Sequence, residues 1–108
     1  MATKKFTVTL KGTEGGKLPN AHIKLGGRPI TLTSYDGEVT WTNNGIEIAY
    51  TPPLTIYIKV GGIPTTAWDI SVKEKDATTP CFTTSGKIGD QPGISDPRHS
   101  IRETTSTC

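Results

Sequence analysis

The sequence has few of the residues from which catalytic or metal centres are built. It contains two histidines and two cysteines, and the cysteines do not have the spacing of a zinc or haem motif. No serine lies in the G-x-S-x-G context of a hydrolase nucleophile, and no glycine pair opens a helix as a phosphate-binding loop requires. We therefore expect a protein without enzymatic activity, cofactor or bound metal.

Long apolar runs and concentrated charge are also lacking. The N-terminal residues lead directly into a predicted strand without the apolar segment of a secretory signal, and no segment is long and apolar enough to span a bilayer. The formal net charge is +2, and the basic residues are scattered, whereas nucleic-acid binders carry a basic stripe. These features predict a chain that is made in the cytosol, does not insert into membranes and does not bind nucleic acid.

What the sequence does have, from Lys4 to Lys73, is alternation of apolar and polar residues with a period of two. Such alternation is typical of antiparallel strands with one buried face. Only 32% of the 108 residues are hydrophobic, but they are concentrated in seven short runs, which predicts a seven-stranded antiparallel β-sandwich. The predicted strands are 4–11, 20–26, 29–33, 38–42, 46–50, 54–60 and 66–73.

Turn residues separate these runs. Asp36-Gly37 and Asn43-Asn44-Gly45 have the composition of tight hairpin turns, because Gly and Asn tolerate positive φ. Pro52-Pro53 cannot donate to a ladder and predicts a strand end. The phase of the alternation places Trp41 and Trp68 in the core.

The alternation stops after Lys75. Residues 76–108 are rich in Thr, Ser, Gly and Pro and have too few bulky apolar residues for a core of their own. We expect a domain over residues 1–75, followed by an arm over 76–108 that packs on the domain or on a neighbouring molecule. Within the arm, Ser95-Asp96-Pro97 has the pattern of a helix N-terminus and favours a short helical turn over Arg98–Glu103.

Two further features of the arm leave alternatives open. A disulfide between Cys81 and Cys108 would contribute about 3.5 kcal/mol through loop-closure entropy, whereas in a reducing compartment both would be free thiols. If the turn is helical, Asp96, His99 and Glu103 share a face and can ligate a metal or act as acid and base. A solvated polar tail with a capping aspartate explains the same residues, and we favour it.

Threonine is the commonest residue, and Thr-x-Thr occurs at Thr7/Thr9, Thr31/Thr33 and Thr40/Thr42. Outward threonine rows form flat arrays in ice-binding proteins. These pairs lack a fixed repeat length, however, and the high β propensity of threonine explains them.

A set of turn and strand motifs between residues 12 and 72 occurs together in one known family. The matching residues are Gly16, Leu18-Pro19-Asn20-Ala21, Ile23, Leu25, Thr33, Asp36-Gly37, Val39, Ile56 to Gly62, Ile70 and Val72. In this combination the chain resembles the transthyretin-like, carboxypeptidase regulatory-like family of immunoglobulin-like β-sandwich domains. The resemblance implies an accessory, binding or adhesive module and carries over no active-site residue. The stretch 43–53 departs from the usual spacing of the family because it holds an extra strand.

Together these observations predict a structural or interaction protein. We expect a subunit or decoration (cement) protein of a larger assembly, such as a viral or phage particle or an extracellular filament. Its partners would be proteins, either copies of itself or other subunits, and its final location would be the virion or the cell exterior. The alternative is a carbohydrate-binding or adhesin module. The predicted contact residues are Tyr35, Asp36, Asn43, Asn44, Tyr57, Phe82, Ile94 and Ile101.

Overall fold

The computed structural model describes residues 2–89 and 98–108, and these residues form two antiparallel sheets. The strands are β1 (Ala2–Gly12), β2 (Asn20–Leu25), β3 (Arg28–Ile30), β4 (Thr40–Tyr50), β5 (Leu54–Gly61), β6 (Ala67–Glu74), β7 (Phe82–Lys87) and β8 (His99–Ser106). A 3-10 turn over Thr13–Gly15 follows β1. Among the residues described, no helix has the length and apolar character needed to cross a bilayer.

Each sheet has four strands. Sheet A has the order β4-β1-β6-β7, and sheet B has the order β3-β2-β5-β8. The apolar faces of the two sheets enclose one hydrophobic core, so the arrangement is sandwich-like. The predicted all-β class is confirmed, but the predicted strand number is wrong, since the described residues form eight strands rather than seven.

The core is built from alternate strand positions, as the period-2 pattern predicts. Trp68 is fully buried, and Trp41 packs against the core while its Nε1 donates to the Leu18 carbonyl at 2.8 Å. The predicted core position of Trp68 is confirmed, whereas Trp41 is half-buried at the border of the core. The strand residues that are almost completely buried include Phe6, Val8, Leu10, Ile23, Leu25, Ile48, Leu54, Ile56, Ile58, Val60, Ile70 and Val72.

The predicted hairpin at Asn43-Asn44-Gly45 is wrong. The two short strands predicted on either side of it are one strand, β4, which pairs with β1 along its length. The register shifts between Phe6, opposite Ile46, and Val8, opposite Asn43. The extra residue forms a β-bulge, which uses the same turn-forming residues as a hairpin without reversing the chain.

The second predicted hairpin, at Asp36-Gly37, is also wrong. β3 belongs to sheet B and β4 to sheet A, so the segment 31–39 crosses from one sheet to the other. Gly37 has φ +75°, as expected for a sharp bend. One backbone bridge, between Thr33 and Thr42, is formed where a hairpin ladder was predicted.

The C-terminal third contributes two strands to the sheets. β7 pairs with β6 at one edge of sheet A, and β8 pairs with β5 at one edge of sheet B. Residue 75 is therefore not a boundary of either sheet. The helical turn predicted over Arg98–Glu103 is wrong, because His99 to Ser106 form β8. Its predicted cap, Ser95-Asp96-Pro97, lies outside the residues that the structure describes.

A disulfide joins Cys81, just before β7, to Cys108, just after β8. Of the two alternatives left open by the sequence, the structure has the bridge. The Cys108 carbonyl also accepts a hydrogen bond from the buried Tyr50 hydroxyl at 2.6 Å. Cys108 is thus fixed covalently to the residue that precedes β7, and to β4 through Tyr50.

Candidate functional site

Three of the predicted contact residues meet on the outer face of sheet A. Tyr35, Asn43 and Asn44 line one depression there, which has a volume of about 480 Å³. The Tyr35 side chain is 89% exposed. We call this feature the hydroxyl depression, because most of its other lining residues are threonines. Its full lining is Thr7, Thr9, Thr31, Thr33, Tyr35, Thr42, Asn43 and Asn44.

The strand register explains why the hydroxyls gather there. Thr9 lies opposite Thr42 on β4 and opposite Ser71 on β6. Paired positions share a face and bring their Cβ atoms to about 5 Å from each other. The row extends to Thr83, opposite Ser71, and to Thr33, which bridges to Thr42. Threonines from distant parts of the sequence therefore form one continuous hydroxyl row.

The loop that carries Tyr35 is held by hydrogen bonds on both sides of the ring. Ser34 Oγ donates to Asp36 Oδ1 at 3.1 Å and accepts from the Glu38 amide at 2.9 Å. Asp36 Oδ1 also accepts from the Thr40 amide at 2.8 Å. These bonds, first that from Thr40 and then that from Ser34, lower the pKa of Asp36 from its ordinary 3.8. Asp36 therefore holds the loop together and does not line the depression.

The two neighbouring asparagines have different environments. Asn43 Nδ2 donates to the Thr31 carbonyl at 2.9 Å, and its Oδ1 accepts from the Gly45 amide at 3.1 Å. Its amide group thus fastens the bulge of β4 to the segment before Tyr35. Asn44 is exposed, and its amide group makes no hydrogen bond within the described residues. Asn43 shapes the depression, and Asn44 offers it a polar group.

Tyr57 lies away from this group. It is on β5, on the outer face of sheet B, with Lys24 Nζ 5.5 Å from its ring centroid. Its cross-strand partners are Lys24 on one side and Glu103 on the other. Ile101, another predicted contact residue, is half-buried opposite Lys59 on the same face. The positions that flank Tyr57 on the outer face of sheet B are therefore charged, whereas those that flank Thr9 on sheet A, Thr42 and Ser71, carry hydroxyls.

The remaining contact predictions fall on the C-terminal third. Phe82, the first residue of β7, is partly buried against the core, and Ile94 lies outside the described residues. β7 is the last strand of sheet A. We use the name β7 edge for the side of Phe82–Lys87 that faces away from β6.

Asp96, His99 and Glu103 were predicted to share one face of a helical turn, but His99 and Glu103 do not lie close together in the structure. His99 and Glu103 lie four positions apart on a strand, which separates their Cα atoms by about 13 Å. Asp96 lies outside the described part of the chain. Within that part, no three His, Cys, Asp or Glu residues are grouped closely enough to hold a metal ion.

Sequence reasoning did not include the threonines of the hydroxyl depression among the site residues, and of β7 it included only Phe82. The Thr-x-Thr pairs are visible in the sequence, but only the register shows that Thr9 and Thr42 are neighbours.

Comparison of this chain with protein-family models, with curated proteins and with solved structures gives no match.

Proposed function

We propose that this protein is a non-enzymatic structural subunit or decoration protein of a larger assembly, such as a viral or phage particle or an extracellular filament. In this proposal it joins its neighbours by strand addition at the β7 edge. An unpaired strand edge offers a row of N–H and C=O groups to another chain. The observation that carries the proposal is a difference between the β7 edge and the other three sheet edges.

The edges of β4 and β3 are both protected. The segment between β3 and β4 covers the edge of β4, and the sequence of β3 itself limits pairing at the edge of β3. The edge of β4 is occupied by the backbone bridge between Thr33 and Thr42, with N···O distances of 3.0 and 2.9 Å. Farther along, the Arg28 guanidinium donates to the Glu47 carbonyl at 3.2 Å. β3 is three residues long and contains Pro29, which has no N–H to donate.

The third edge, that of β8, carries an inward-directed charge. Arg102 pairs with the buried Ile58, and its guanidinium carbon lies 5.7 Å from the centroid of the Trp68 ring. A charged residue that points towards the core discourages pairing with a second chain, because the added sheet would have to bury it.

The β7 edge has none of these devices in the part of the chain that the structure describes. From Phe82 to Gly86 it carries no charge and no proline. Its one charged residue, Lys87, is at the end. Thr83 and Ser85 are exposed, and their small uncharged side chains do not oppose a second strand.

The hydrogen-bond pattern identifies the backbone groups that would receive a partner strand. Ile88 donates to the Thr66 carbonyl at 2.9 Å, and the same register pairs Thr84 with Ile70. Bonded and non-bonded pairs alternate in an antiparallel ladder. Phe82, Thr84 and Gly86 therefore bond to β6, and the N–H groups of Thr83 and Ser85 point away from the sheet.

These two residues also permit pairing between two copies of the chain. If two β7 strands meet antiparallel about a two-fold axis at Thr84, Thr83 of each copy lies opposite Ser85 of the other. Both then exchange N–H···O=C bonds in a closely spaced pair. Such a contact is self-complementary, as two-fold interfaces require.

The experiment is a concentration series by sedimentation velocity or light scattering with Ser85→Pro and Ser85→Ala. Proline removes the outward N–H of residue 85 and leaves the ladder to β6 intact, whereas alanine removes only the hydroxyl. We expect the wild-type protein and Ser85→Ala to associate and Ser85→Pro to stay monomeric with an unchanged circular dichroism spectrum. If the wild-type protein is a strict monomer at the highest soluble concentration, the proposal that it is a self-associating subunit is refuted.

The family relationship is a second part of this proposal. We infer that the sandwich is of the immunoglobulin- or transthyretin-like kind. In support, two motifs of the resemblance are connections in the structure: residues 18–21 lead into β2, and Asp36-Gly37 lies between β3 and β4. The segment Ile56 to Gly62 contains most of β5. A solved structure of a family member with the same order of strands in both sheets would support the relationship.

A further inference from the structure

We propose that the hydroxyl depression is a binding site for a neutral saccharide, with Tyr35 as the stacking surface. This site is separate from the β7 edge and does not depend on the assembly function. It is supported by three properties of the lining residues: their charge, their free hydrogen-bonding groups and the rigid presentation of one aromatic ring.

The lining has no basic or carboxylate side chain. It consists of five threonines, two asparagines and one tyrosine. A ligand with phosphate or carboxylate groups would lose its hydration in the depression, which is costly, and the lysine next to it in register, Lys73 opposite Thr7, is not among the lining residues. A neutral polyol has no charged group to remove from water, so it binds without this cost. The chemistry of the lining therefore selects an uncharged ligand.

The hydroxyls of the lining are available to a ligand. Among the described residues, the side chains of Thr9, Thr33 and Thr42 make no hydrogen bond to other protein groups, and the same holds for Asn44. Each threonine hydroxyl can donate one hydrogen bond and accept two, and an amide group can do both. Sugar hydroxyls have the same dual capacity, so a row of threonines can match them without a fixed donor or acceptor order.

Tyr35 supplies the apolar part of the site. Tyr35 is 89% exposed, so the apolar surface of its ring lies in water when no ligand is bound. The flat C–H face of a hexose can stack on such a ring and remove apolar area from water. The hydrogen bonds of Ser34 and Asp36 fix the loop on either side of the ring, which reduces the entropy lost on binding.

The outer face of sheet B provides an internal control. Tyr57 is also on an outer face, but Lys24 lies over its ring, and Glu103 and Lys24 flank it in register. An aromatic ring covered by an ammonium group and bordered by charges is not free to stack on a sugar. The proposal therefore distinguishes two tyrosines of the same chain.

The test is a glycan array that contains neutral hexose oligosaccharides and matched oligosaccharides with uronic acids, followed by titration calorimetry with the neutral compounds that bind. We expect binding to neutral compounds only. Tyr35→Ala should weaken it by about tenfold or more, since a stacking surface is worth about 1.4 kcal/mol. Thr9→Val, which replaces the hydroxyl with a methyl group of similar size, should weaken it by about threefold to tenfold.

The matched control is Tyr57→Ala, which should leave the affinity unchanged. Binding of uronic acids alone, or an equal loss with Tyr57→Ala and Tyr35→Ala, would overturn the proposal. So would the absence of binding to every neutral oligosaccharide at millimolar concentration. Because Tyr35 is exposed, its replacement should not change the unfolding midpoint, and a lost affinity cannot then be attributed to unfolding. Repeating the titration with Ser85→Pro separates sugar binding from association at the β7 edge.

Discussion

Strands β1 to β6 and the last two strands, β7 and β8, lie in the same two sheets, but different interactions hold them there. The inward residues of β5 include Ile56, Ile58 and Val60, all fully buried. The residues opposite them on β8 are Thr104, Arg102 and Ser100. The central strands are therefore stabilised by apolar burial, whereas β8 brings polar side chains to the same layer.

β7 shows the same difference. Thr84 and Gly86 lie opposite Ile70 and Trp68 of β6, so two of its inward positions have little or no apolar side chain to bury. The backbone ladder to β6 and the disulfide between Cys81 and Cys108 take the place of that burial. The first six strands therefore supply most of the core, to which Ile88 and Cys108 add two residues. We call the last two strands, β7 and β8, the margin of the sandwich.

The first way to test this comparison is to damage the core of the first six strands. Phe6→Ala removes a fully buried ring from the centre of β1. The loss of transfer free energy and the cavity that remains should lower the free energy of unfolding by about 3–5 kcal/mol. Urea denaturation measures this effect. The neighbouring variant Thr7→Ala, on the outer face, should change it by less than about 0.5 kcal/mol, and similar losses for both variants would contradict the assigned core.

The second test removes the covalent attachment of the margin. Cys81 and Cys108 are 27 positions apart in the sequence. Replacing both with serine opens the loop that the disulfide closes and should lower the free energy of unfolding by about 3.5 kcal/mol. Native-state hydrogen exchange should show faster exchange first in β7 and β8, while the amides of β1 keep their protection. A uniform loss of protection in all strands would show that the last two strands are as much part of the core as the first six.

The third test concerns the hydrogen bond between the Tyr50 hydroxyl and the Cys108 carbonyl. Tyr50→Phe leaves a buried carbonyl without this partner and should lower the free energy of unfolding by about 1 kcal/mol. In the background without the disulfide the same substitution should cost less, because the chain end is then free to leave its site. Tyr57→Phe, with no hydrogen bond to its hydroxyl in the described residues, is the control. Equal costs of Tyr50→Phe in both backgrounds would show that the disulfide and this bond act independently.

The smallest effect on the free energy of unfolding is expected from a change of pH, through Asp36 in the loop that carries Tyr35. Hydrogen bonds from Thr40 and Ser34 lower the pKa of Asp36 below its ordinary 3.8. A lowered folded-state pKa stabilises the fold above the unfolded value, and this contribution is lost as the pH falls through the folded-state pKa. Between pH 5 and 8 Asp36→Asn should therefore show no pH-dependent difference from the wild-type protein. An NMR titration of the Asp36 carboxyl that gives a pKa at or above 3.8 would contradict the assigned bonds.

The sequence located the segments that form the first six strands because their inward residues are apolar, but it divided β4 into two strands. Phe6, Val8 and Leu10 show the buried face of β1 directly, and the alternation identifies all the central strands. The division of β4 at Asn43-Asn44-Gly45 was wrong because a bulge and a hairpin use the same residues. Only the pairing of β4 with β1 on both sides of Gly45 distinguishes them.

β7 and β8 could not be predicted by the same reasoning. A pattern search finds a strand through its apolar face, and inward Thr84, Ser100 and Arg102 give no such signal. Their pairing with β6 and β5 decides their conformation, and this is a tertiary effect. The candidate site was partly predictable: Tyr35, Asn43 and Asn44 were identified as contact residues, although both asparagines lie on β4 and not in a loop. The threonines beside them depend on a register between distant strands.

The central claim is that the β7 edge is where this protein meets its neighbours, and one measurement tests it most directly. Hydrogen–deuterium exchange at increasing protein concentration reports on the outward amides of Thr83 and Ser85. We predict that these two amides exchange rapidly in dilute solution and become protected as the protein associates, while the amides of β3 and β4 do not change. Association that leaves Thr83 and Ser85 exchanging as rapidly as in the monomer would contradict the claim.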